Sequence, residues 1–213
     1  MRSEPLLFVL LAPALLTSCG DSGPRDDVAE VRASYAAYIE ALHRQDGTRA
    51  SSLVDSRTVS YYDGMLTLAR EADSAQVAGL DMMDKLTVLG MRMQSTPEQL
   101  RDMDGWKAVA AAVESGAMGG EGLEGLELGS VTVEGERARA PLTMMGFPTP
   151  AVFHFQREGD AWRIDLTSLF QLSRGSLDMM ARSSGKPVHE HVHELLEMTA
   201  GRPVPEGIWH PVR

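Results

Sequence analysis

Pairing across the two-residue turn at Gly159-Asp160 sets His154 opposite Asp165 on neighbouring strands. A carboxylate facing an imidazole fixes its tautomer and raises its basicity, which suits a general base. Farther on, His189-Glu190-His191-Val192-His193 reads His-Glu-x-x-His. On a helix His189 and His193 share a face and could ligate zinc, with Glu190 as base. A third ligand is needed, and Glu197, Glu206 and His210 are only loose candidates. The remaining set is aromatic: Tyr35, Tyr38, Tyr61, Tyr62 and Trp106 carry the amphipathic rings that line ligand pockets.

Each set has a plainer explanation. The alternation that pairs His154 with Asp165 puts both on the face opposite Phe153, Phe155, Ile164 and Leu166. If that apolar face meets helices, the pair points to solvent or to a partner. An exposed cross-strand pair contributes only about 0.2–1 kcal/mol and needs no further role. The histidine string crowds three of the six histidines into five positions, which a solvated helix face accounts for equally well. Buried tyrosines are commonly core residues whose hydroxyl finds a partner. No catalytic residue, metal ligand or cofactor is therefore assigned. His154 and Asp165, and His189 and His193, stand as candidates, with Tyr35, Tyr38, Tyr62 and Trp106 as candidate ligand-pocket residues.

The elements that must position these residues are legible in sequence order. Val28, Val31, Tyr35, Ile39 and Leu42 mark one helix face, with Gly47 placed as its left-handed stop. Short helices follow from Thr48, from a cap at Asp55 or Ser56, and from a cap at Ser74. Met82, Leu86, Leu89 and Met93 form a methionine-rich stripe that suits either a pliable core or an adaptable groove. Thr96-Pro97-Glu98-Gln99 is a capping box with proline at the first helical position. A further helix spans Asp104 to Val113, and a glycine-rich connector leads to the sheet.

Four strands are expected between Leu126 and Phe170. Across Gly135-Glu136, Val133 meets Ala138 on one face while Glu134 meets Arg137 and Thr132 meets Arg139 on the other. Gly146-Phe147-Pro148-Thr149-Pro150 predicts a wide loop, because neither proline can donate to a ladder. One or two helices follow. The last starts near Pro187 and stops by Gly201, with Val188, Val192 and Leu195 on its apolar stripe. An extended strap from Arg202 to Pro211 is anchored by Trp209. These elements compose one α+β domain: helices over 26–118, sheet over 126–170, C-terminal helix and strap over 175–213.

The N-terminus carries an address. Leu6 to Leu16 form an apolar run behind Arg2, too short to span a bilayer. Leu16-Thr17-Ser18-Cys19 resembles the lipobox of bacterial lipoproteins and contains the only cysteine. The resemblance implies cleavage before Cys19, acylation of its thiol, and an anchored domain facing the periplasm. Gly20 in the next position favours the outer over the inner membrane, and residues 19–25 read as a flexible tether. A long first helix followed by a meander ending in Phe155 through Gly159-Asp160-Ala161-Trp162-Arg163-Ile164 is similar to NTF2-like (SnoaL-like) domains. That resemblance implies a curved sheet wrapped around a helix to enclose a pocket, with a pocket His and Asp in its enzymatic members. The middle helices are more extensive here than such a domain needs.

Net charge is −10 and the acidic residues are dispersed, so a nucleic-acid surface is not expected. The expectation is a lipid-anchored envelope protein acting as a non-catalytic binding or scaffolding module, with a small apolar ligand or an envelope protein as partner.

Overall fold

The computed structural model describes residues 26–118 and 125–212; Cys19 and the lipobox-like run Leu16–Cys19 lie outside the described residues. Among those described, seven helices come first: α1 (Asp27–His43), α2 (Gly47–Ser51), α3 (Ser56–Glu71), α4 (Ser74–Gly79), α5 (Met82–Gln94), α6 (Pro97–Asp102) and α7 (Gly105–Glu114). Each opens on a side chain that accepts from the backbone N–H three residues on. The caps are Asp26, Asp46, Asp55, Asp73, Asp81, Thr96 and Asp104. Such a cap stabilises by about 1 kcal/mol, and the helix dipole favours the negative charge there. Six of the chain's thirty acidic residues are thus placed where they start helices.

Two local expectations are corrected. Asp73, not Ser74, caps α4, completing a capping box with Gln76. The left-handed residue after α1 is Gln45, at φ 52°, and not Gly47. Gly47 instead begins α2, where a Cβ would lie 2.2 Å from the Ala110 carbonyl oxygen. At the start of α7 a Cβ on Gly105 would lie 2.3 Å from the Val59 oxygen. These two glycines let α7 pack directly on the backbones of α2 and α3.

The sheet is antiparallel: β1 (Leu126–Leu128), β2 (Thr132–Glu134), β3 (Arg137–Met144), β4 (Phe147–Glu158) and β5 (Ala161–Asp165). β1 and β2 pair with opposite ends of β3, so the strands fill four positions of a curled half-barrel in an α+β fold. Val133 faces Ala138 and Glu134 faces Arg137, as the turn arithmetic requires. The wide loop expected at Gly146–Pro150 is absent. β3 turns into β4 at Met145-Gly146, and Pro148 sits within the strand opposite Thr143. The prolines are tolerated because β5 pairs only with His154 to Glu158, which leaves the first half of β4 as an edge. Strand β5 ends at Asp165; Leu166 already caps α8 (Thr167–Ser183), so the sheet is shorter than the expected span to Phe170.

Alternation buries one face of the sheet, with Ala138, Ala140, Leu142, Phe153, Phe155, Trp162 and Ile164 pointing inward. Helix α1 lies across it. The Tyr35 ring meets Phe153 edge-on at 5.4 Å, and the Ser34 hydroxyl donates to the Trp162 carbonyl at 2.8 Å. Arg157 stacks over Trp162 at 4.5 Å and pairs with Asp27 at the start of α1. The outer edge of β5 is closed by Leu53–Asp55. The Ile164 amide donates to the Leu53 carbonyl, and the Asp55 amide to the Ile164 carbonyl, both at 2.9 Å. Helices α8 and α9 (Val188–Ala200) complete the fold, α9 ending at left-handed Gly201. A strap then crosses back and buries Ile208. No helix among the described residues is long and apolar enough to cross a membrane.

Candidate functional site

A cavity of about 910 Å³ opens between the sheet's apolar face and the surrounding helices. Its inner end is formed by buried Tyr38 and Leu42 of α1, Tyr62 of α3, and Phe153, Leu166 and Phe170. Met83, Leu86, Met91 and Met93 of α5 form one wall. Ala108, Ala111 and Ala112 of α7 form another, and Leu195 and Leu196 of α9 close a third. The mouth carries Gln94, Glu114, Ser115 and Thr199, all exposed. The space exists because α7 turns alanines inward where larger side chains would have filled it.

Tyr38 and Tyr62 are only 3% and 7% exposed. Burial pushes both phenols above their ordinary range, and Tyr62 pushes Tyr38 further. Neither hydroxyl has a hydrogen-bond partner among the described residues, although both side chains line the cavity. Two buried polar groups thus face a mostly apolar space with their hydrogen-bonding capacity unused. That is the arrangement of a binding pocket with a few orienting groups.

The other aromatic candidates lie elsewhere. Tyr35 borders a shallow groove of about 630 Å³ between α1 and β1, and its hydroxyl donates to the Leu126 carbonyl at 3.1 Å. Tyr61 donates to the Asp84 carboxylate at 2.7 Å, beside Arg174, and so is committed to an ionic cluster. Trp106 is 42% exposed and does not line the cavity. Of the methionine stripe, Leu86 and Met93 face the cavity while Met82 and Leu89 belong to the core. The alanines of α7 and the apolar residues of α8 and α9 carry no chemical signature in the sequence. The run Ala110-Ala111-Ala112 was the one hint that a helix face might leave room.

His154 and Asp165 are ladder partners, as expected, but the two side chains have different surroundings. His154 is exposed, whereas Asp165 is 3% exposed, which corrects the expectation that both would face solvent. Asp165 accepts from the backbone N–H of Thr167 at 3.0 Å and from its hydroxyl, and pairs with Arg57 at 3.3 Å. Arg57 also reaches Asp55, whose other oxygen accepts from the Thr58 hydroxyl at 2.8 Å. The Thr58 hydroxyl in turn accepts from the Leu166 amide at 3.0 Å. This network fixes the start of α3 to the turn into α8, and neither His154 nor Asp165 lines the cavity.

On α9, His189 and Glu190 are exposed. His193 Nε2 accepts from the Trp209 indole N–H at 2.9 Å. Indole only donates, so the neutral imidazole carries its proton on Nδ1. His191, between them, points inward and is buried. Among the described residues no group of three or more His, Cys, Asp or Glu is arranged to hold a metal ion.

The class of protein these features define is an α+β domain with a helix-walled apolar cavity. Compared with known proteins, the chain matches no family model, no curated protein and no solved structure.

Proposed function

We propose that this chain is a non-catalytic binding module, lipid-anchored through Cys19 in the bacterial envelope, that takes up a small apolar ligand. The observation that carries the reading is the cavity of about 910 Å³, which lies in the size range of small-molecule sites. Its walls are mostly apolar, and its two inner phenols could orient a ligand. The lipobox supports the anchor, with the outer membrane favoured. The passage of α1 across the concave face of a curled sheet supports an NTF2-like reading, in which such a sheet encloses a pocket.

The test is binding of the uncharged fluorophore N-phenylnaphthylamine to the purified protein. Gly90 lines the cavity, and a Cβ there meets nothing within 4 Å. Gly90→Leu should project a side chain into the space the probe takes without disturbing the helix and weaken the probe at least ten-fold, with an unchanged circular dichroism spectrum. Absence of binding, or binding indifferent to Gly90→Leu, overturns the cavity as the site. For the anchor, Cys19→Ala should move the protein from the membrane fraction to the soluble one.

A further inference from the structure

The polar groups of the cavity discriminate among apolar ligands. We infer that the ligand is an uncharged, lipid-like molecule with a carbonyl or hydroxyl oxygen at one end, and that this oxygen accepts hydrogen bonds from Tyr38 and Tyr62. The inference rests on the cavity being the binding site.

The two hydroxyls sit at the inner end, on different helices, and neither is satisfied by a described residue. Water can reach them through the open mouth of the free protein. A ligand that fills the cavity displaces that water and must replace its hydrogen bonds or lose affinity. A plain hydrocarbon cannot do so. An oxygen at the ligand's leading end can, since each phenol has one proton to donate.

The same walls exclude an anionic head, and at the tyrosines a head of either charge. Among the described residues no Lys, Arg or His lines this cavity, and the only charged residue that does is Glu114, exposed at the mouth. A carboxylate carried to the tyrosines would be desolvated with no cation to pair it, the costliest arrangement for a buried charge. A carboxylate left at the mouth would face Glu114. Raised phenol pKa values agree with this, because they report an environment that disfavours negative charge. The methionines of α5 have unbranched, pliable side chains that adapt to a flexible tail. Selection therefore falls on the head group.

Dodecanol, dodecane and dodecanoate share a chain length and differ only in the head, so each can be titrated against N-phenylnaphthylamine bound to the full protein at neutral pH. Dodecanol should displace the probe at a concentration at least about ten-fold lower than either of the others, the ratio of one of the two neutral hydrogen bonds its oxygen accepts. In Tyr38→Phe/Tyr62→Phe, dodecanol should fall to the level of dodecane while the probe still binds. Phenylalanine keeps the ring and its packing, so this variant separates hydrogen bonding from folding. Dodecanoate binding as well as dodecanol, or a dodecanol advantage that survives the double substitution, overturns the ligand class and leaves the cavity reading standing. Failure of the wild-type protein to bind the probe at all overturns the cavity reading, and the ligand class with it.

Discussion

The indole N–H of Trp209 donates to Nε2 of His193 at 2.9 Å, with the two rings stacked at 6.1 Å. This contact ties the C-terminal strap to α9, whose Leu195 and Leu196 wall the cavity. Breaking it should cost about 1 kcal/mol, the usual net value of a neutral hydrogen bond. Trp209→Phe and His193→Phe each keep an aromatic ring and remove one partner. A double-mutant cycle followed by urea denaturation should give a coupling of about 0.5–1.5 kcal/mol between them. Strict additivity would mean that the strap is held by other contacts alone.

Arg92 supplies one of those other contacts. It is buried, yet its partners are carbonyl oxygens and not carboxylates: Ala69 at 2.8 Å, Leu68 and Ile208 at 3.1 Å, and Ala72. Three of these close the C-terminal end of α3, where the helix dipole places partial negative charge. Burial pulls the guanidinium below its ordinary value, and the carbonyl cage offsets that cost. Arg92→Met would strand the carbonyls and release Ile208. The expected loss is about 3 kcal/mol, because buried carbonyls lose their donor without regaining water. Arg92→Lys, with a point charge in place of the planar fork, should fall between the two. Urea midpoints in the order wild type, Lys, Met would bear this out, and equal midpoints for Lys and Met would count against the cage.

Features set by neighbours in sequence were legible before the structure. The Thr96–Gln99 capping box, the Asp55 cap and the Val133–Ala138 register each depend on a few residues and one turn. What depended on distant packing was not legible. The prolines of β4 argue for a loop until one knows that β5 leaves that half-strand unpaired. Asp165 reads as exposed because alternation says nothing of Arg57 and the first turn of α8 folding over it. Tyr38, Tyr62 and Trp106 are alike in type, and only assembly shows two facing a cavity and one facing solvent. A cavity is the place where several helices do not close, and no single segment encodes it.

Glycines that look alike in the sequence should respond oppositely to alanine. Gly47→Ala would press a Cβ against the Ala110 backbone, where only helix displacement can relieve it. A loss of about 1–3 kcal/mol is expected from such overpacking. Gly64, exposed within α3, has nothing within 4 Å of its would-be Cβ. Gly64→Ala should stabilise by about 0.5–1 kcal/mol, the intrinsic helix preference of alanine. Thermal unfolding of the two variants beside wild type decides the matter; a Gly47→Ala protein as stable as wild type would exclude the close approach of α7 to α2.

The buried phenols also predict a stability loss at high pH. Tyr38 and Tyr62 hold their protons above the ordinary value of 10.0 in the folded protein, chiefly because burial disfavours the phenolate. Below about pH 9 the folded and unfolded chains both keep these protons, and the stabilisation is fully present. Above about pH 10 the unfolded chain releases them while the folded chain does not, so unfolding gains free energy and stability falls. The slope approaches about 1.4 kcal/mol per pH unit for each tyrosine. Urea denaturation between about pH 8 and pH 11 should therefore show an alkaline decline that Tyr38→Phe/Tyr62→Phe makes shallower. Phenolate absorbance gives an independent reading: Tyr38 and Tyr62 should resist ionisation until the protein unfolds, as should Tyr61, held up by burial and its hydrogen bond to Asp84. The Tyr38→Phe/Tyr62→Phe variant should lose two of these late-titrating phenols. If every tyrosine of the folded protein titrates near its ordinary value, the hydroxyls are open to bulk water, and the inner end of the cavity is not the sheltered place that ligand selection requires.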